Sequence, residues 1–592
     1  MAAGPARAGT PVPVTASAKP GPGRFAPGEF ATVGVFGVDW LLDPRFTRML
    51  DHIAASPGAV RGVRVFGSLS LGRDKTFPTT SANVWDDPDG PMDFSRTLAA
   101  LDTLASRGLV PFLPLTFFPR AVSPVPTQPP PGWARWQALV RGFLDACVGR
   151  FGAGEVSRWW FEAWNEPNMP PFWAGSFEQY TGSFEQYIGL YRATSDAVRA
   201  SGHKLRLGGP VVAYMPGEGA ALVERFLRVL AAEPQLKCDF ISLHRKGAWT
   251  NEEGDPDLAR VTQAAEATAE AILRIVPERA SGLAIVNDEA DMLVGFDRPY
   301  PPRMTAQFPA WLASVAIAYD ALSARYAAHG LRFHAASDDA NQQLAQGPFD
   351  GRRTLMTPVS GPDGLLKLPV YAFYELLRLM GPLRCGPAQG ALPPGVSHLL
   401  TRGEHGISAL LTSYAGHHPA VLDYEIQDIP WLRVNVAVFC IDSTHTDPQA
   451  ASPNIAAMRQ AQELGTLRAL RSGVRLRNRA LRQQIPLERF STVLVWITPF
   501  RHSAPAAPSR VAAAREGGNV VLRWTPDSSP DFYSYEVIRA GKRISPAPLR
   551  AALWIDTAPP PGALRYLVAA VSASGERSAG VVAEVAPADP HG

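Results

Sequence analysis

Cysteine is scarce. The 592 residues hold four, Cys147, Cys238, Cys385 and Cys440, far apart and without a CxxC pair. That excludes a zinc ribbon or a dithiol redox motif, and it gives no disulfide framework. No run of eighteen or more apolar residues occurs, so no membrane-spanning helix is expected. The opening stretch MAAGPARAGTPVPVTASAKPGPG lacks the apolar segment of a signal peptide, and the chain has no Asn-x-Ser/Thr sequon. A cytoplasmic location is therefore the expectation, with no membrane partner. The formal net charge is only +3, too little for a global field that would draw in nucleic acid or an acidic bilayer. Lysine is rare too: it supplies seven of the 57 basic residues.

The chain is 46% hydrophobic and 19% charged, the composition of a globular protein of several domains. Residues 1–29 are Pro/Gly/Ala-rich without periodicity and read as a disordered tail. From 30 to 364, eight short apolar runs alternate with helical patterns. The runs are 31–39, 62–67, 110–116, 159–164, 205–210, 239–244, 283–288 and 331–337. One helix carries Trp136, Val140, Leu144, Cys147 and Val148 at three-to-four spacing before Gly152; another runs from Leu258 to Val276 and stops at Pro277. Eight strand–helix alternations predict an α/β fold, a (β/α)8 TIM barrel. The rival, a doubly wound open sheet, is weakened because no GxGxxG or GxxxxGK[ST] follows any strand.

Beyond 364 the pattern is β only. GISALLTSY (406–414), LRVNVAVFC (432–440) and STVLVWITPF (491–500) predict a β-sandwich over 365–503. After a Pro/Ala linker, 504–592 resembles a fibronectin type III domain, with Trp524 as its core tryptophan. Two local features stand out. A seven-residue unit repeats once in GSFEQYTGSFEQYIGLY (175–191), as a single duplication rather than a solenoid. The stretch 468–482 carries six arginines and no acid. It reads first as a solvated face and second as a groove for a sulfated glycan.

In a TIM barrel the C-terminal strand ends face the active site. The fourth strand ends in Trp164-Asn165-Glu166-Pro167 and the seventh in Asn287-Asp288-Glu289. Two glutamates across a barrel mouth suit glycoside hydrolysis. One donates a proton to the leaving oxygen, and the other attacks the anomeric carbon when the gap is only about 5–5.5 Å. Taken singly, either glutamate reads equally well as a helix cap or a solvated loop acid. No metal or cofactor motif is present, and none is expected.

The run WWFEAWNEPNMPPFW, with DFISLHRKGA (239–248) and IVNDEADMLVGF (285–296), resembles glycoside hydrolase family 39, and its iduronidase branch more than its β-xylosidase branch. LRLGGP (205–210) and SDD…RRTL (337–339, 352–355) fit the same pattern. The resemblance implies a retaining exo-glycosidase acting on a terminal uronic acid, with Glu166 as acid/base and Glu289 as nucleophile. It further implies that Asn165 holds the sugar 2-hydroxyl and that Lys246 pairs with the uronate carboxylate, aided by backbone N–H groups near Gly295 and Phe296. Asp339 and Arg353 would contact the same sugar, and Arg64 would lie beneath the site. One position departs from the family: Phe66 stands where the pattern has histidine. His244, taken alone, reads as a packed, hydrogen-bonded residue. Two other readings stand beside the first, a β-xylosidase-like hydrolase of a neutral pentoside and a non-catalytic carbohydrate-binding protein. The partner in each is an oligosaccharide or polysaccharide.

Overall fold

A computed structural model describes residues 10–35, 37–56, 58–70, 83–174, 181–214, 218–249, 252, 254–295, 299–337, 349–359, 364–414, 419–444, 446–447, 467–516, 518–527, 532–545, 548–557 and 559–587. The chain opens with two strands, β1 (Val12–Ser17) and β2 (Pro20–Arg24). For residues 10–29 this corrects the reading of 1–29 as a disordered tail; residues 1–9 lie outside the described residues. Within VPVTAS, Val14 and Ala16 share one face and are buried, a period-2 pattern that the Pro/Gly/Ala composition obscured. Strand β1 pairs in parallel with Ala420–Gln427, and β2 pairs antiparallel with Leu383–Cys385, so residues 12–24 are stitched into the C-terminal sheets.

Eight parallel strands then close a barrel: β3 (Thr32–Val35), β4 (Gly62–Val65), β5 (Val110–Pro114), β6 (Trp160–Glu162), β7 (Arg206–Ala213), β8 (Phe240–His244), β9 (Ala284–Asn287) and β10 (Arg332–Ser337). Each strand pairs with its sequence neighbour, and β10 closes on β3. All eight expected runs supply one strand, and the TIM barrel is the observed fold. The helix Ala134–Phe151 buries Trp136, Val140, Leu144 and Cys147. It stops at Gly152, whose φ of 82° lies in the left-handed region. Leu258–Ile275 starts at Asp257, whose side chain accepts the Ala259 N–H. Glycine in LRLGGP answers a contact: a Cβ on Gly208 would sit 2.3 Å from the Phe240 ring on the neighbouring strand. The helix Thr181–Ala200 contains the second copy of the duplicated heptad, and the first copy lies mainly outside the described residues.

Downstream, a seven-stranded sheet runs in the order Leu467–Arg475, Arg433–Ile441, Ser491–Pro499, Ile407–Ser413, Val396–Arg402, Leu383–Cys385 and β2. The three apolar runs predicted as sandwich strands are adjacent in it, facing a three-stranded sheet that includes β1 across a shared apolar cluster. The arginines of 468–482 sit on and between its edge strand and Leu481–Leu487. Arg468 pairs with Asp442, Arg482 with Asp423, and Arg471 donates to Gln483. Residues 509–585 form a three-stranded and a four-stranded sheet, with Trp524 buried between them against Tyr535. This module docks on the rest of the chain. The Ala552 N–H donates to the Ala55 carbonyl at the end of a barrel helix (2.8 Å). The half-buried Arg550 guanidinium lies 5.3 Å from the Trp496 ring of the sandwich, and Phe532 and Tyr533 also flank it. Among the described residues, no helix is long and apolar enough to cross a membrane.

Candidate active site

Four strand ends meet at one barrel mouth. Strand β4 carries Arg64, β6 carries Glu162 and leads into Asn165 and Glu166, β8 ends in His244 just before Lys246, and β9 leads into Asp288 and Glu289. Side chains alternate along a strand, so Arg64, Glu162, Ser242 and His244 share the interior-facing parity. Past β6 the backbone bends through two unusual conformations, Trp164 at φ 84° and Glu166 at φ 42°. Such φ values on non-glycine residues persist only where surroundings enforce them. Here Trp164 is wedged among Phe118, Trp136 and Trp173, and its indole N–H donates to the Phe172 carbonyl. The Glu166 N–H donates to the Val211 carbonyl (2.9 Å). The bend aims the Glu166 carboxyl inward.

Arg64 is the hub. Its guanidinium lies 2.6 Å from Asp288, 2.9 Å from Glu162 and 3.3 Å from Glu289, and it donates to Asn165 Oδ1 at 2.8 Å. His244 bridges the same acids. Its Nδ1 is 2.7 Å from Glu166 Oε1 and 3.4 Å from Glu289 Oε1, and its Nε2 is 3.1 Å from Asp288 Oδ2. Lys246 Nζ sits 2.5 Å from Glu289 Oε2. The Glu162 and Asp288 side chains are fully enclosed, whereas those of Glu166 and Glu289 are each 14% exposed. The two glutamates are thus the carboxyls that an incoming molecule would meet.

Protonation is set by this packing. Burial, reinforced by the Asp288 charge, pushes Glu162 up to about 8 against the pull of Arg64. Burial also opposes charge on Glu289 and His244, but neighbours reverse it. His244, Lys246 and Arg64 hold the Glu289 carboxyl well below the usual carboxylate range. Glu289, Asp288 and the bond to Glu166 keep the imidazolium of His244 well above its usual range. One donor atom each from Glu166, His244 and Glu289 falls within a 4.8 Å cluster, the geometry of a cation site. A protonated His244, with Lys246 and Arg64 already on Glu289, opposes a metal there electrostatically.

Five of the anticipated residues therefore converge: Arg64, Asn165, Glu166, Lys246 and Glu289. Lys246, expected to meet a substrate carboxylate, contacts Glu289 and supplies a counter-charge to that largely enclosed carboxylate. Arg353 is anchored to the loop after β9. It is 1% exposed, its Nη1 lies 3.1 Å from Asp291, and its Nη2 donates to the Leu293 and Gly295 carbonyls. It braces the loop after β9. Gly295 sits in that loop at φ 94°, while Phe296 and Asp339 lie outside the described residues. Phe66 is buried edge-on against Phe117 and Phe172. Sequence reasoning missed Glu162 and Asp288 and saw His244 only as a packed residue. The available signal was parity: charged residues on the inward face of barrel strands must find one another.

Comparison with known proteins follows the same line. The family model described as glycosyl hydrolases family 39 matches residues 83–385. The α-L-iduronidase of Mus musculus is 26% identical over 332 residues, 54% of this chain and 48% of that protein. A β-xylosidase of Caldicellulosiruptor saccharolyticus is 30% identical over 169 residues, 26% of this chain and 32% of that protein. The chain thus spans about half the length, or less, of these curated relatives. A solved structure described as the bacterial orthologue of human α-L-iduronidase superposes with a TM-score of 0.79 at 22% identity, covering 96% of this chain and 99% of that one. At that identity the likeness speaks for the fold.

Proposed function

Since the chain belongs to glycosyl hydrolase family 39, we propose that it is a retaining exo-glycosidase working by double displacement through Glu166 and Glu289. The observation that carries this reading is the closeness of the two carboxyls, one oxygen of Glu166 lying within 4.8 Å of one oxygen of Glu289. Retaining enzymes hold the pair about 5–5.5 Å apart, and inverting ones need about 6.5–9.5 Å to admit a water. Glu289, kept ionised by three cationic neighbours, attacks the anomeric carbon as Glu166 passes its proton to the glycosidic oxygen. The aglycone departs as an alcohol, leaving a glycosyl ester on Glu289. Water then attacks the same carbon, Glu166 takes its proton, and the ester bond breaks with configuration retained. Arg64 fixes Asn165, which would hold the sugar 2-hydroxyl, and keeps the Glu289 carboxylate oriented.

The sugar we infer is a uronic acid. Lys246 stands at the mouth with a side chain 10% exposed, and a uronate would bring a second carboxylate for it to share. Two observations favour a neutral pentoside as the second reading. Lys246 is already engaged by Glu289, and Phe66 presents an apolar ring where the family pattern has a hydrogen-bonding imidazole. Incubation with 2-fluoro derivatives of an α-L-iduronide and a β-D-xyloside tests both at once. A covalent label on Glu289 by mass spectrometry supports the retaining mechanism, and the sugar that labels faster identifies the class. A label on Asp288 or Asp291 would move the nucleophile, and inverted product without label would overturn the mechanism.

A further inference from the structure

The barrel has a second opening, at the N-terminal ends of its strands and opposite the glutamates. There a cavity of about 1150 Å³ lies between the strand starts, the segment 23–30 and the segment 378–384. Seven arginines and three carboxylates line it. Two of the carboxylates face partners within the same lining, Asp320 with Arg384 (3.0 Å) and Glu29 with His334 (3.3 Å), and Asp239 lies 3.0 Å from Lys237 outside it. Arg24, Arg61, Arg206 and Arg332, by contrast, have no carboxylate within ion-pair distance among the described residues. All four are exposed at the rim, and partial desolvation together with the nearby charge of Arg332 draws the Arg206 guanidinium below its ordinary range. Arg206 is held in place, its guanidinium 5.0 Å over the Trp160 ring, which itself stacks on Phe112.

We propose that this floor cavity binds a multivalent anion, a small molecule bearing sulfate, phosphate or carboxylate groups. Like charges converging on a concavity destabilise the empty protein, and such walls focus a positive field onto whatever enters. Guanidinium forks match oxyanions in geometry as well as charge. The volume exceeds what one inorganic anion fills and suits a ligand of disaccharide or nucleotide size. None of these arginines belongs to the glutamate mouth, so the inference stands apart from the proposed hydrolysis.

Titration calorimetry on the full chain tests it, with a disulfated disaccharide, adenosine triphosphate and inorganic sulfate as probes at low and moderate salt. Wild-type protein should bind the disaccharide or the triphosphate, less tightly as salt rises. The R206Q/R332Q variant should bind at least about tenfold more weakly while cleaving an activated aryl glycoside at the wild-type rate. The tighter of the two organic probes identifies the source of the charge. Equal affinities of wild type and variant for every probe would overturn the proposal, as would inorganic sulfate binding as tightly as the organic probes. If the double variant fails to fold, R332Q, at an exposed position on the rim, must show the same loss in lesser degree.

Discussion

Replacing Glu162 with glutamine is a sharp test of the electrostatics beneath the mouth. Glu162 is enclosed, and burial with the Asp288 charge lifts it from about 4.5 to about 8. A group raised in the folded state contributes stability below its unfolded value, and that contribution is lost as pH climbs toward the folded one. At 1.36 kcal/mol per unit, the wild type should lose on the order of 3 kcal/mol from this group between pH 5 and 7.5. Glu162→Gln cannot ionise and escapes that loss, yet its amide oxygen can still accept from Arg64. Guanidinium denaturation of both proteins at pH 5, 6.5 and 7.5 should show the variant gaining by about 3 kcal/mol across the series. Near pH 6, kcat/KM on an aryl glycoside should stay within about threefold of wild type, because the native group is already neutral there. Parallel stability curves would refute a neutral Glu162. So would a collapse of activity at pH 6, since Arg64 would then depend on an ionised partner.

Glu166→Gln should abolish turnover of substrates with poor leaving groups while still letting activated aryl glycosides form the glycosyl ester, and added azide should speed turnover of the aryl glycosides by attacking that ester; equal losses on both would remove Glu166 as the acid. Lys246→Ala should lower kcat/KM for a uronide by about tens- to thousands-fold, from the roughly 2–5 kcal/mol of a broken buried charge pair. Because Lys246 also helps hold Glu289 low, the acid limb of the pH–rate profile should move up; equal losses on uronide and xyloside would reduce Lys246 to a supporting residue. Deleting 504–592 would strip the contacts at Ala55 and Trp496 and expose apolar surface. The truncated chain should aggregate or melt several degrees lower by calorimetry, and a soluble product with unchanged melting would make the module a mere accessory.

Periodicity carried much of this fold. Eight apolar runs at regular spacing determined the barrel, because a parallel strand buried on both sides reads as an apolar run wherever it occurs. The Asn165-Glu166 and Asp288-Glu289 strand ends pointed to the mouth for the same reason: strand termini are where a barrel exposes polar groups. What local pattern could not reveal was pairing across the barrel. Glu162 and Asp288 are separated by 126 positions, and only closure brings both onto Arg64. Lys246 likewise looked free for a ligand until Glu289 was set beside it. Strand β1 looked disordered because its partner lies some 400 residues downstream. Composition and spacing are local quantities and fix the elements. Charge compensation in a low-dielectric interior depends on distance in space, and only the tertiary structure decided it.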